Sequence, residues 1–273
     1  MSAHNPVIVT PRFRFVPMIG HPIDQVISPE PMNRWFAARG IEVALVPMDI
    51  KPDGIADFFR MVRAWENCAG VSITMPHKQA AFAHADRVST RAVRAAAVNL
   101  MVRLPDGTLE GDMTDGIAFV DAVRARGFEP RGCCFLLIGA GGAGAAVAHA
   151  MADAGTAVIH VVEIDHARRE SMLATLRQHH PLVATHGAPD GGEHIDIVFN
   201  ATPLGMRAHD PLPFDLSRLS PTCFVADAVT RPLVTPFIAA ARARGHATLT
   251  GEEMALAQLP IQLPMWGFDY HAR

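Results

Sequence analysis

The sequence predicts an α/β fold of two domains. Short apolar runs alternate with helix-like stretches from end to end, 273 residues exceed one typical domain, and a stronger apolar run restarts the pattern near the middle. In the first half, the runs at 14–19, 41–46 and 70–74 read as strands, with helix-like segments at 31–39 and 53–67. Residues 98–103 and 108–111 flank Pro105-Asp106-Gly107 and read as a hairpin closing that half. Residues 114–126 follow a helical pattern with Thr114 as the cap, and the loop 127–132 is the expected domain boundary. Beyond it, 133–138, 158–162, 195–200 and 223–226 read as strands. Residues 232–244 read as a helix, and 252–265 as a final one despite Pro260 and Pro264.

Composition excludes several functions. Hydrophobic residues make up 49% and charged residues 19%, too apolar for disorder. A net charge of −3 offers no footprint for nucleic acid or an anionic membrane, which leaves a small-molecule partner. The four cysteines form no C-x-x-C pair and read as buried, reduced thiols. Residues 1–15 lack the apolar core of a signal peptide, so a cytoplasmic protein is expected. The apolar stretch 133–155 is broken by glycines and contains His149 and Asp153, so it reads as strand, turn and helix rather than a membrane span. His179, His180, His186 and His194 crowd one region, but their spacing matches no ligand pattern; they read as solvated loop histidines, and no metal site is expected.

A cofactor motif stands at the restart. Gly139, Gly141 and Gly144 have G-x-G-x-x-G spacing, follow an apolar strand and open an alanine-rich helix. Gly139 allows the tight turn, Gly141 lets backbone approach a pyrophosphate, and Gly144 lets helix and strand pack closely. The turn Gly139, Ala140, Gly141, Gly142, Ala143 and Gly144 is therefore a candidate dinucleotide cradle of Rossmann type, with the helix N-terminus facing the phosphates. Glu163 ends the next strand, where a carboxylate accepts ribose hydroxyls and repels a 2′-phosphate, which favours NAD. Arg168 and Arg169 lie close enough to keep NADP open.

Further segments carry a resemblance. Gly20-His21-Pro22-Ile23 through Ser28-Pro29, then Ser72-Ile73-Thr74-Met75-Pro76-His77-Lys78, then Ala97-Val98-Asn99 occur in that order. They are followed by Gly111-Asp112-Met113-Thr114-Asp115-Gly116, the glycine turn, Asn200-Ala201-Thr202-Pro203-Leu204-Gly205-Met206, and Asp227 through Thr235-Pro236 to Met254 and Gln258. With these segments the chain resembles the shikimate/quinate dehydrogenase family over nearly its whole length. The resemblance implies an N-terminal α/β substrate-binding domain, 1–117 joined by about 251–273, and a Rossmann-type NAD(P)-binding domain, 118–250, with a cleft between. It implies reversible oxidation of a ring hydroxyl in a cyclic hydroxy-acid-like substrate, with Lys78 and Asp115 catalytic. Ser28, Thr74, Asn99 and Gln258 would contact substrate; Ala201, Thr202, Pro203, Val229, Gly251 and Met254 would flank the cofactor. A homodimer is the assembly left open. Alone, Lys78 would read as a surface lysine and Asp115 as a first-turn helix carboxylate; only the ordered set gives them chemistry. A lysine in a dry site with charged neighbours can exchange the hydroxyl proton as hydride departs.

The resemblance fails at one end of the substrate. Val26 stands where the family has a first carboxylate-binding serine, and Thr230 where it has a tyrosine. Leu100 and Met113 replace a threonine and an asparagine, and Gly251-Glu252-Glu253-Met254 adds charge beside the nicotinamide side. A hydrogen bond to a charged group contributes about 1.5–3 kcal/mol, so two lost donors cost roughly 3–6 kcal/mol toward a carboxylate, less if Thr230 still donates. An altered substrate is therefore expected. Two other readings compete: a catalytically silent NAD-binding metabolite sensor, and a dehydrogenase of the methylene-tetrahydrofolate type.

Overall fold

The computed structural model describes residues 10–190 and 193–270. Residues 1–9, part of the segment judged to lack a signal-peptide core, lie outside the described residues. The first domain contains β1 (Arg14–Gly20), α1 (Pro29–Ala38), β2 (Val43–Asp49), α2 (Ile55–Ala64), β3 (Gly70–Ile73) and α3 (Lys78–Phe82). It continues with β4 (Arg87–Val88), α4 (Thr90–Ala95), β5 (Leu100–Arg103) and β6 (Leu109–Asp112). Its sheet has the order β2-β1-β3-β5-β6-β4. β1 pairs parallel with β2 and β3, and the expected hairpin β5–β6 is antiparallel.

α5 (Asp115–Ala125) leads into β7 (Cys134–Ile138), α6 (Gly142–Asp153), β8 (Val158–Val162), α7 (His166–His179), β9 (Ala184–His186) and β10 (Ile197–Asn200). β11 (Phe224–Asp227), α8 (Pro236–Ala243) and β12 (Thr248–Leu249) complete the second sheet. Its order, β12-β11-β10-β7-β8-β9, is the doubly wound arrangement of a dinucleotide-binding domain. The order reverses between β7 and β10. Their carboxyl ends therefore open the crevice where a ligand binds in such sheets.

α5 joins the second core: Phe119 lies 4.6 Å from Phe199 and 6.2 Å from Phe135, centroid to centroid. The C-terminal segment differs from expectation. It forms two short helices, α9 (Gly251–Leu256) and α10 (Leu259–Met265), because Ala257 and Gln258 interrupt the pattern just before Pro260. Leu263, Trp266 and Phe268 from this end share a core with Val16, Met32 and Phe36, so the chain returns to the first domain. No helix among the described residues is long and apolar enough to cross a membrane.

The thiols of Cys68, Cys133 and Cys223 are buried, Cys134 is partly buried, and all four are free. Burial pushes each up, to about 11 for Cys68, Cys133 and Cys134 and about 12 for Cys223, so none is a ready thiolate. The histidine cluster is not uniformly solvated. His180 is buried and its Nε2 lies 2.9 Å from Nδ1 of buried His149. These two rings come from α6 and the end of α7, so the partner was 31 residues away in sequence.

Candidate active site

Lys78 opens α3 directly after the turn that ends β3. The His77 N–H donates to Thr74 O (2.9 Å), the buried His77 ring bonds Ile50 O (2.6 Å), and the Val98 N–H donates to Lys78 O (2.9 Å). These bonds fix the lysine backbone against the segment 97–99 that carries Asn99 and leads into β5. Asp115 is the first residue of α5 and its side chain is 2% exposed. Lys78 Nζ donates to Asp115 Oδ2, forming a largely buried ion pair. Asn99 Nδ2 lies 2.7 Å from Asp115 Oδ1, 2.9 Å from Thr114 Oγ1 and 3.0 Å from Gln258 Oε1. Gln262 Nε2 reaches Thr114 Oγ1 (3.0 Å) and Gln258 Oε1 (2.6 Å). Thr114 does not cap α5 with its side chain as expected; its hydroxyl is held in this network instead.

The network forms one wall of a cavity of about 110 Å³. Ser28, Thr74, Lys78, Asn99, Asp115 and Gln258 all line it, as do Ala143, Gly251 and Met254 from the second half of the chain. The loop 25–28 and Thr230, which the resemblance assigns to the carboxylate end of the substrate, line it as well. Val26 packs toward the first-domain core. Ser28 sits at the N-cap position of α1 without a capping bond, which leaves its hydroxyl for the cavity. The Thr230 hydroxyl donates to the backbone oxygen of Gln25 at 2.9 Å, so its proton is already committed. The donation that could have replaced the family tyrosine is absent.

The glycine turn lies at the β7/β10 switch point. Gly139 has φ +95°, and a Cβ there would fall 2.7 Å from Thr202 Cγ2, so the turn and the Ala201-Thr202 loop abut. A Cβ on Gly144 would lie 2.1 Å from Gly139 O, the close helix–strand packing its spacing predicted. At Gly141 nothing lies within 4 Å, leaving open space beside the turn. The N–H groups of Gly142, Ala143 and Gly144 precede the first helical bond, Ala145 N–H to Gly141 O, and remain available to an anion. Glu163 turns onto this loop: its carboxylate accepts from the Ala140 N–H (2.9 Å) and the Asp165 N–H (3.0 Å) and is 3.9 Å from Arg168. Pro203 is exposed on the turn after β10. Val229 is buried, its N–H bonded to Asp227. Gly251 has a steric reason of its own, since a Cβ would lie 2.3 Å from Val229 O.

Comparison with known proteins agrees with this geometry. Residues 18–101 match the shikimate dehydrogenase substrate binding domain. A shikimate dehydrogenase (NADP(+)) of Acidiphilium cryptum is 40% identical over 266 residues, covering 95% of this chain and 92% of that protein. The chain belongs to the shikimate dehydrogenase family. A solved shikimate 5-dehydrogenase from Thermus thermophilus, in complex with NADP(H) and shikimate, is 29% identical with a TM-score of 0.82 over 93% of each chain. The ligand-free 5-ketofructose reductase of a Gluconobacter strain is 27% identical with a TM-score of 0.82 over 94% of each chain. As a member of the shikimate dehydrogenase family, this chain is an oxidoreductase acting on CH–OH groups.

Three residues of the site escaped the sequence reading. Gln262 lies one helical turn after Gln258, so the i, i+4 spacing on α10 was the available clue. Thr114 was read only as a cap. Gln25 lines the cavity with its amide nitrogen buried and unpaired, and no sequence motif marks it.

Proposed function

We propose that this chain is a nicotinamide-dependent dehydrogenase that transfers hydride reversibly between a ring hydroxyl of shikimate, or a related cyclic hydroxy compound, and the cofactor. The observation that carries this reading is the Lys78–Asp115 pair at the wall of a cavity that Ala143, at the start of the cofactor helix, also lines. Lys78 exchanges the hydroxyl proton through Nζ, while Asp115 holds Lys78 and polarises the same hydroxyl. Asn99 and Gln262 saturate the carbonyl of Gln258 and leave its amide N–H groups for a second ring hydroxyl. The bound nicotinamide supplies the hydride acceptor, and the glycine turn, with its open face and free N–H groups, fits its pyrophosphate. A silent sensor has no need of the catalytic pair.

We assign 1–117 with about 251–273 to substrate binding and 118–250 to the cofactor, supported by the two sheets and the return of α10 to the first core. NAD is the proposed cofactor. The A. cryptum relative is named for NADP; the reading here rests on Glu163, whose carboxylate would stand against a 2′-phosphate. The substrate differs from shikimate at its carboxylate end, because Val26 and Thr230 supply no donor there. The Gluconobacter neighbour, named for 5-ketofructose, a compound without a carboxylate, accords with such a change.

A cofactor-coupled assay tests these points with NAD and NADP against shikimate, quinate and aminoshikimate, and with the reduced cofactors against 5-ketofructose. Turnover of at least one compound, faster with NAD, is expected. Faster turnover with NADP overturns the role of Glu163, and no turnover with any compound overturns the dehydrogenase reading.

A further inference from the structure

Gly142 is not one of the three glycines that the G-x-G-x-x-G spacing needs; it occupies a free position between Gly141 and Gly144. It opens α6, and the structure gives it a reason of its own. A Cβ on Gly142 would fall 3.1 Å from Ala97 Cβ, 3.5 Å from Lys78 Cβ and 3.9 Å from Gln79 Cγ, all in the first domain. The start of the cofactor helix therefore rests on the two segments that carry Lys78 and Asn99. Those segments are joined behind the contact by the Val98 N–H, which donates to Lys78 O (2.9 Å).

The same face of α6 meets the backbone beside Asp115. Gly116 directly follows Asp115, and a Cβ there would overlap Ala146 O and lie 2.8 Å from Ala150 Cβ. Gly142, Ala146 and Ala150 are spaced i, i+4, i+8 and so share one face of the helix. That face is seated against the neighbourhood of Lys78 at its first turn and against that of Asp115 over the next two. Close-packed contacts of this kind have little give. The unspent N–H groups of the same first turn are those that fit a pyrophosphate, so one helix fixes where the cofactor lies relative to Lys78 and Asp115.

We propose, resting on the dehydrogenase reading above, that Gly142 is a positioning residue for the reaction. The missing side chain, not the N–H, carries the role: it lets the cofactor turn seat on the Lys78 and Ala97 backbone and so sets the distance between nicotinamide and Lys78. Reacting atoms must lie about 3–3.5 Å apart for hydride to pass, so this distance governs rate more than binding.

Gly142→Ala keeps the N–H and adds one methyl, whose 3.1 Å approach to Ala97 forces the turn to give by a few tenths of an ångström. The assay uses whichever of shikimate, quinate and aminoshikimate is oxidised fastest, with the faster of NAD and NADP. The variant should lower kcat about tenfold, short of the roughly 100-fold that a 1 Å misplacement costs. The dissociation constant of the cofactor, read by calorimetry, should stay within about twofold. Ala97→Gly removes the methyl that the new one strikes, and in the double variant kcat should return to within about threefold of Ala97→Gly alone. Ala97→Val presses on the same contact without touching the cofactor turn and should show the same loss in kcat with binding retained, which keeps the test open if Gly142→Ala does not fold. An unchanged kcat, a loss that Ala97→Gly does not relieve, or a loss that comes with weakened cofactor binding overturns the proposal and leaves the dehydrogenase reading standing. Wild-type protein that oxidises none of the compounds removes the dehydrogenase reading, and this proposal with it.

Discussion

The two ends of the cavity are built on opposite plans. At the catalytic end, Lys78, Asp115, Asn99, Thr114, Gln258 and Gln262 bond one another, so the geometry is set before any ligand arrives. At the carboxylate end the Gln25 amide nitrogen and the Ser28 hydroxyl have no hydrogen-bond partner among the described residues, and the Thr230 hydroxyl is turned onto backbone. Groups that must hold reacting atoms within a fraction of an ångström profit from mutual bonds. Groups that only read a substituent can wait for it. A family can therefore hold its chemistry and change its substrate by rebuilding one end.

The largest effect should come from the saturated end. Lys78→Ala removes the proton carrier and leaves Asp115 buried without its cation, and should lower kcat by about 10²–10⁴-fold, the usual contribution of a positioned acid–base group. Ligand binding, measured by calorimetry, should persist. If turnover survives, the catalytic end is not catalytic and the contrast between the two ends loses its meaning.

Rebuilding the carboxylate end should act in the opposite direction. Val26→Ser with Thr230→Tyr restores two donors toward a carboxylate and should raise kcat/KM for shikimate by about 100-fold, corresponding to roughly 3 kcal/mol. A gain confined to KM would show uniform binding, whereas a gain in kcat would show that the carboxylate end also positions the reacting hydroxyl.

Gln262 tests how far the saturated network extends. Gln262→Leu leaves Thr114 Oγ1 and Gln258 Oε1 short of a donor and should reduce kcat/KM about tenfold, with a fall in stability of about 1–3 kcal/mol. Gln262→Glu, which keeps the shape but not the donor, should reproduce the kinetic loss. A purely structural role would lower stability and leave the kcat and KM of the remaining folded enzyme unchanged.

How much was legible in sequence follows the same division. β7, the glycine turn and α6 were readable because an apolar run and glycine spacing are local properties. Lys78 and Asp115 were readable only as members of an ordered set, since each alone looks like an ordinary surface or first-turn charge. Gln25 was invisible because its contact with Thr230 spans 205 residues, and Gln262 was marked only by its spacing from Gln258, its partner Thr114 being 148 residues away. The single C-terminal helix failed for a local reason, the break before Pro260. His180 failed for a distant one, its burial against His149.

That histidine pair gives the smallest kinetic effect and separates burial from function. His149 Nδ1 bonds His180 Nε2 (2.9 Å), and Asp153, which pairs with Arg94, lies 3.5 Å from His180 Nδ1. Burial, then the nearby His180, His179 and Arg94, push His149 down to about 3 from 6.5. As pH falls below 6.5 the unfolded chain therefore takes up a proton that the folded chain refuses until about pH 3, so stability falls across that window. Between pH 6.5 and 5 the loss from this group alone is about 2 kcal/mol. His149→Gln keeps an amide donor for His180 and abolishes this titration, so its urea midpoint should fall less steeply over the same range while kcat/KM at pH 8 stays unchanged. An unchanged slope would mean that the ring is protonated in the fold. A changed kcat/KM would join the pair to the site, and the division between a catalytic network and a merely buried one would have to be redrawn to include the C-terminal half of α6.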